Sequence, residues 1–167
     1  MTPKILPGAT DILRCVREVT GDLLAPTLTG HSERSAAATV DHMLRYVERL
    51  IEHQGQTLLD EEMRLTALLP GAADWLADQP QGDALANTIR ADLARTRDLA
   101  VYQTLGMMED RVAILRQHVC DILLALQQAG DADGEALHEA LRDYIGWQLE
   151  TESILIEPAF VGHGPRR

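Results

Sequence analysis

The chain has 167 residues and a mass of 18.4 kDa, the size of one domain. Lys+Arg 15 against Asp+Glu 26 leaves a net charge of −11. That charge, with no basic stripe interleaved with aromatics, argues against nucleic acid as a partner. A hydrophobic content of 46% beside 25% charged residues is globular chemistry rather than disorder. No apolar run is long enough to span a membrane, and residues 1–13 lack the apolar stretch and cleavage site of a signal peptide.

The 25 Leu and 21 Ala are strong helix formers, while strand-forming aromatics amount to only 4%. The expected fold is all-α, an antiparallel bundle of four to six helices in a single domain, 1–167. Residues 1–9, with Pro3, Pro7 and Gly8, read as an irregular lead-in. Thr10 is placed to cap a first helix carrying Asp11 in its first turn, and Ile12, Leu13, Val16, Val19, Leu23 and Leu24 recur at helical spacing. Pro26 ends that helix.

After a loop at 26–31, Ser32 is expected to cap a long helix over about 32–69. The stripe Val40, Met43, Leu44, Val47, Ile51, Gln54, Leu58, Leu65 and Leu69 keeps one phase across Gly55, where the helix is expected to continue with or without a kink. Leu69-Pro70-Gly71 reads as a stop, followed by a connection over 70–82 with a short helical turn at 74–77. A helix of this length runs about 57 Å, more than a monomer of this size covers. A homodimer is therefore expected.

Asp83 is placed to cap the next helix. Its stripe Leu85, Ile89, Leu93, Thr96 and Leu99/Ala100 points more than 90° away from a second stripe, Leu105, Met108, Val112, Leu115, Val119, Ile122 and Leu126. The shift predicts a kink or break near Gly106, between Gln103 and Met107. Ala129-Gly130 stops this segment. Asp131 or Asp133 caps the last helix, whose buried side is marked by Leu137, Leu141, Tyr144, Ile145, Leu149 and Leu155. Pro158 ends it, and 162–167 form a frayed tail.

The candidate site residues are those that break these patterns. Glu62 lies within the stripe Leu58, Leu65 and Leu69. Glu152, with Gln148 beside it, lies within the stripe of the last helix. Inward carboxylates on two helices suit a metal or acid–base chemistry, or each meets one of the fourteen arginines. Glu135-Ala136-Leu137-His138 has the E-x-x-H spacing of a metal helix, but a carboxylate-bridged bundle needs two such pairs, and no metal or other cofactor is expected. His42, Tyr46, Arg49 and His53 share a face opposite the apolar stripe, which fits a solvated surface, a dimer contact or an anion site. Arg90, Asp92, Arg95, Arg97 and Asp98 read as mutual surface support. Cys15 and Cys120 are expected to be reduced and buried, which suits the cytoplasm. No phosphate loop, GxSxG elbow or zinc spacing is present in the chain.

Ile12-Leu13-x-x-Val16, then Leu24-x-Pro26-x-Leu28-x-Gly30, then Arg34 and the long helix with Leu44 and Val47 resemble an uncharacterised family of small helical bacterial proteins. The resemblance covers residues ~10–70 and consists mostly of helix punctuation. That family is encoded beside aminoglycoside-phosphotransferase-like and acyl-CoA-dehydrogenase-like proteins, which implies an accessory role near acyl-CoA metabolism and carries over no catalytic residue. The sequence thus favours a non-enzymatic homodimer binding a partner protein or a small ligand. The alternative is a metal-binding or acid–base bundle using Glu62 and Glu152.

Overall fold

The first helix begins where the Asp11 carboxylate accepts a hydrogen bond from the Gly8 amide at 2.9 Å, satisfying one of the donors that a helix start leaves open. Gly8, not Thr10, therefore occupies the cap position. This helix, α1 (Ala9–Glu18), continues as a π-helical turn, Val19–Leu24, and ends in a 3₁₀ turn, Ala25–Thr27, that contains Pro26. The same device starts α2 (His31–Arg49): the Glu33 carboxylate accepts from the Gly30 amide at 3.2 Å, so the cap is Gly30 rather than Ser32.

The computed structural model describes the backbone of residues 6–95, 101–129 and 134–160. The expectations for the lead-in at 1–5, for Thr96, Arg97, Asp98, Leu99 and Ala100, for Gly130, Asp131 and Asp133, and for the tail lie outside the described residues. Among the described residues every regular element is helical, as the Ala and Leu excess predicts.

Beyond α2 a π-helical turn, Leu50–Gln54, leads into α3 (Gly55–Ala77), so helical backbone runs for 47 residues. It passes through Pro70-Gly71, where the sequence predicted a stop. A proline inside a helix costs about 3 kcal/mol through its missing N–H and its ring clash. The offsetting gain is burial. Leu69, Ala72, Ala73 and Leu76 are all essentially inaccessible, and a fully buried leucine alone contributes about 1.5–3 kcal/mol. The expected short turn at 74–77 is simply the last turn of α3.

Further along are α4 (Asp83–Leu93), α5 (Leu105–Ala129) and α6 (Glu135–Phe160). Gly82 precedes α4 as its cap residue, and Asp83 is its first residue. The expected break before Gly106 is present, since α5 starts at Leu105. At the other end, α6 extends past Pro158 to Phe160.

The chain divides into two compact units, one of Met1–Gln54 with Thr151–Arg167 and the other Gly55–Glu150. In the second unit the helices alternate in direction. Arg90 on α4 reaches back to Asp74 near the end of α3, and Tyr144 on α6 reaches Glu61 near its start. Gly55 meets Leu105 at one end of α3, while Trp75 lies beside Ala125 at the other, so α3 and α5 run parallel. This is the up-down-up-down order that short connections favour. The core is Leu58, Leu65, Leu69 and Leu76 of α3 with Ile89 of α4, Val112, Leu115 and Ile122 of α5, and Leu141 of α6.

The first unit is built differently. Neither α1, α2 nor the π-helical turn after each contains a buried residue. Arg17 binds Asp41 at 3.2 Å and Glu48 at 2.5 Å, and Arg45 binds Asp41 at 2.7 Å. These pairs make α1 and α2 an antiparallel hairpin fastened by charge rather than by a core.

Three burial expectations are corrected. Leu149 is exposed, because Leu141 and Tyr144 already supply the contact of α6 with the core. Cys15 and Cys120 are both exposed and free, since each follows the core-facing or partner-facing position by a residue or more and so turns to solvent. Asp92, read as surface, is buried on a histidine.

Candidate functional site

The most concentrated polar chemistry lies inside the second unit. Glu61 follows Leu58 by three residues and precedes Leu65 by four, so α3 turns it into the core between them. It is only 1% exposed. A carboxylate at that depth is costly unless it is paired and hydrogen-bonded. Arg116 on α5 supplies a two-pronged contact, Nε to Oε1 at 2.5 Å and Nη2 to Oε2 at 2.7 Å. The Tyr144 hydroxyl on α6 donates to Oε1 at 2.7 Å. Three helices thus meet on one carboxylate.

The Arg116 side chain is 41% exposed, so its guanidinium bridges solvent and the buried anion. The Glu61 hydrogen bond raises its already high pKa. Burial, reinforced by the hydrogen bond to Glu61, raises the Tyr144 phenol above its ordinary value. Both groups therefore keep their protons near neutrality.

A second set lies one residue along. Glu62 Oε1 accepts from Arg111 Nε at 3.2 Å, and Arg111 Nη1 donates to the Asp92 main-chain carbonyl at 2.7 Å. The Asp92 carboxylate lies 2.9 Å from His118 Nε2 and 3.3 Å from Arg95 Nη1. His118 Nδ1 is buried and has no hydrogen-bond partner among the described residues. Arg64 stacks 4.5 Å over the Trp147 ring, and Trp147 lies 6.3 Å from the Tyr144 ring.

The residues singled out from the sequence do not converge on one place. Glu62 belongs to the second unit and is held by Arg111, whereas Glu152 is half-buried in the first. Glu135 and His138 share one turn of α6, and both are exposed. Among the described residues no group of three or more His, Cys, Asp or Glu is placed to hold a metal ion. Along α2, His42, Tyr46 and Arg49 are half-buried, while His53 is exposed and lies 3.8 Å from Glu52. His42 lines a cleft of about 460 Å³ between α1 and α2, with Arg17, Arg34, Asp41 and Arg45.

Sequence reasoning missed Glu61, Arg116 and the Asp92–His118 pair. Spacing alone did not single out Glu61: at 100° per residue it lies about 60° from the mean direction of Leu58, Leu65 and Leu69, and Glu62 about 40°. Nothing local marks Arg116, Arg111 and His118 as the partners of Glu61, Glu62 and Asp92, because each lies on another helix.

No family model matches the chain, and neither a curated protein nor a solved structure matches it. No helix among the described residues is long and apolar enough to cross a membrane.

Proposed function

We propose that this is a non-enzymatic helical interaction protein that acts as a homodimer. The reading is carried by the hairpin of α1 and α2, which turns its apolar residues outward and buries none of them. An apolar face of this extent on a soluble chain marks an interaction site. The buried carboxylates support the same reading, because Glu61, Glu62 and Asp92 are each held by a cationic or imidazole side chain of another helix and act as structural clasps. In this view the second unit is a stable scaffold and the first presents the surface that a second copy covers. Two free cysteines fit a reducing cytoplasm.

Static light scattering on the purified chain at micromolar concentration tests the proposal. The expected mass is twice 18.4 kDa. A monomer at every concentration up to about a hundred micromolar, well above the affinities of functional dimers, would overturn it.

A further inference from the structure

Along α1 and the π-helical turn that continues it, Ile12, Val16, Val19 and Leu23 follow one another at spacings of four, three and four, and all are exposed. On α2 the residues Ala36, Val40, Met43 and Val47 repeat the same spacings, Ile51 in the π-helical turn beyond α2 extends the row by four, and all are exposed. This alternation is the seam pattern of helices that pack side by side over several turns. The seam residues are far from covered: Leu23 is 65% exposed and Met43 is 62% exposed.

The two rows share one face of the hairpin. On α1 the side toward α2 is marked by the half-buried Leu13, Arg17 and Thr20, and the apolar row includes the residue just before each of Leu13, Arg17 and Thr20. On α2 the side toward α1 is marked by Asp41 and Glu48, and Val40 and Val47 again stand one residue earlier. One residue is a 100° turn. Because the helices are antiparallel, the same backward step on each points to the same side of the pair. The rows from Ile12 to Leu23 and from Val40 to Ile51 each span eleven steps, about 16 Å of helix, so the face is rectangular and of even length.

We propose that two copies join through this face, α1 and α2 of one copy packing on α1 and α2 of the other to build a two-fold four-helix bundle. The inference rests on the homodimer reading above and places its interface. Three observations select a second copy as the occupant. The exposed apolar side chains of the two rows amount to on the order of 800 Å² per copy, the share that each partner contributes to a standard stable interface. A hairpin with one apolar face is self-complementary under a two-fold axis, and such a contact closes on itself. The hairpin also lacks any buried side chain of its own, and helices of this length are marginal in water without tertiary packing. The second copy supplies the missing core. Arg17, Asp41, Arg45 and Glu48 are engaged with one another between the helices, off the two apolar rows.

The test compares the wild-type chain with a Val16→Glu/Val47→Glu variant by sedimentation equilibrium. The expected result is a wild-type dimer and a variant whose dissociation constant is at least about a hundredfold higher, since four carboxylates per dimer would be placed in an apolar seam. A variant that dimerises as tightly as the wild type overturns the placement of the interface while leaving the homodimer reading standing. A monomeric wild type overturns both. Loss of the hairpin fold in the variant is separated from loss of the interface by hydrogen exchange on the wild-type chain alone. Protection of the α1 and α2 amides is expected to fall on dilution below the dissociation constant, while that of α3 and α5 stays constant. Equal behaviour of all four helices would refute the proposal.

Discussion

Replacing Arg116 with leucine removes the two guanidinium contacts to Glu61, at 2.5 and 2.7 Å, and leaves a carboxylate that is 1% exposed with only the Tyr144 hydroxyl to satisfy it. Breaking a buried pair from one side costs about 3–5 kcal/mol. An upper bound follows from the alternative open to the carboxylate, which is to take up a proton. For a glutamate of ordinary pKa, about 4.3, protonation at pH 7 costs about 3.7 kcal/mol. The expected loss of stability in Arg116→Leu is therefore about 3–4 kcal/mol at pH 7. The bound falls by about 1.4 kcal/mol for each pH unit of acidification, so at pH 5 the expected loss is only about 1 kcal/mol. The sign follows because the buried acid of the variant binds a proton that the unfolded chain at the same pH does not. Urea unfolding of both chains at pH 7 and pH 5, followed by circular dichroism, measures the difference. Adding Glu61→Leu to Arg116→Leu removes the unpaired charge and is expected to recover most of the stability. A loss below about 1 kcal/mol at pH 7, or a loss that does not change with pH, would show that the site is open to water and refute the reasoning.

Tyr144→Phe deletes one hydrogen bond to a buried carboxylate that keeps its arginine, and is expected to cost about 1–2 kcal/mol at pH 7 by urea unfolding. Because the Tyr144 pKa is raised in the folded chain, its contribution is complete below about pH 10 and is lost as pH rises beyond that value. The wild type is thus expected to lose more stability than the phenylalanine variant between pH 9 and pH 11. Leu65→Ala empties a fully buried position and is expected to cost about 2–5 kcal/mol, read as a lower urea midpoint at unchanged slope. Gly82→Ala would drive its Cβ into the Leu76 carbonyl oxygen, so the turn before α4 must shift, and a loss of at least about 2 kcal/mol is expected in thermal unfolding. The neighbouring Gln81 holds a left-handed backbone at φ 69°, and Gln81→Gly is expected to be stabilising by up to about 1 kcal/mol in the same assay.

The helices were legible because periodicity is a local property. Leu58, Leu65 and Leu69 repeat at helical spacing and are buried together, and the change of direction between the stripes of Ile89 and Met108 signalled a break, which begins earlier than expected because α4 ends at Leu93. Helix ends were read less well. Proline at position 70 is a strong local stop signal, but it was overridden by the burial of Leu69, Ala72, Ala73 and Leu76, whose worth depends on α4 and α5 being in place. At the starts of α1 and α2 a carboxylate three residues in, Asp11 or Glu33, bonds the amide of a preceding glycine, and that choice of cap was not distinguishable from Thr10 or Ser32 in sequence.

By itself, the sequence determined the all-α class, the helical faces and the presence of carboxylates on apolar stripes, since each is set by spacing along one helix. Only tertiary structure decided which of those carboxylates became central. Glu61 and Glu62 are adjacent in the chain, but α5 presents Arg116 to one and Arg111 to the other, and α6 brings Tyr144 to Glu61 alone. It also decided where one apolar stripe is covered. The row running from Val40 through Leu58 to Leu69 keeps a single phase in the sequence, yet Val40, Met43, Val47 and Ile51 are exposed while Leu58, Leu65 and Leu69 are buried, because α4, α5 and α6 cover α3.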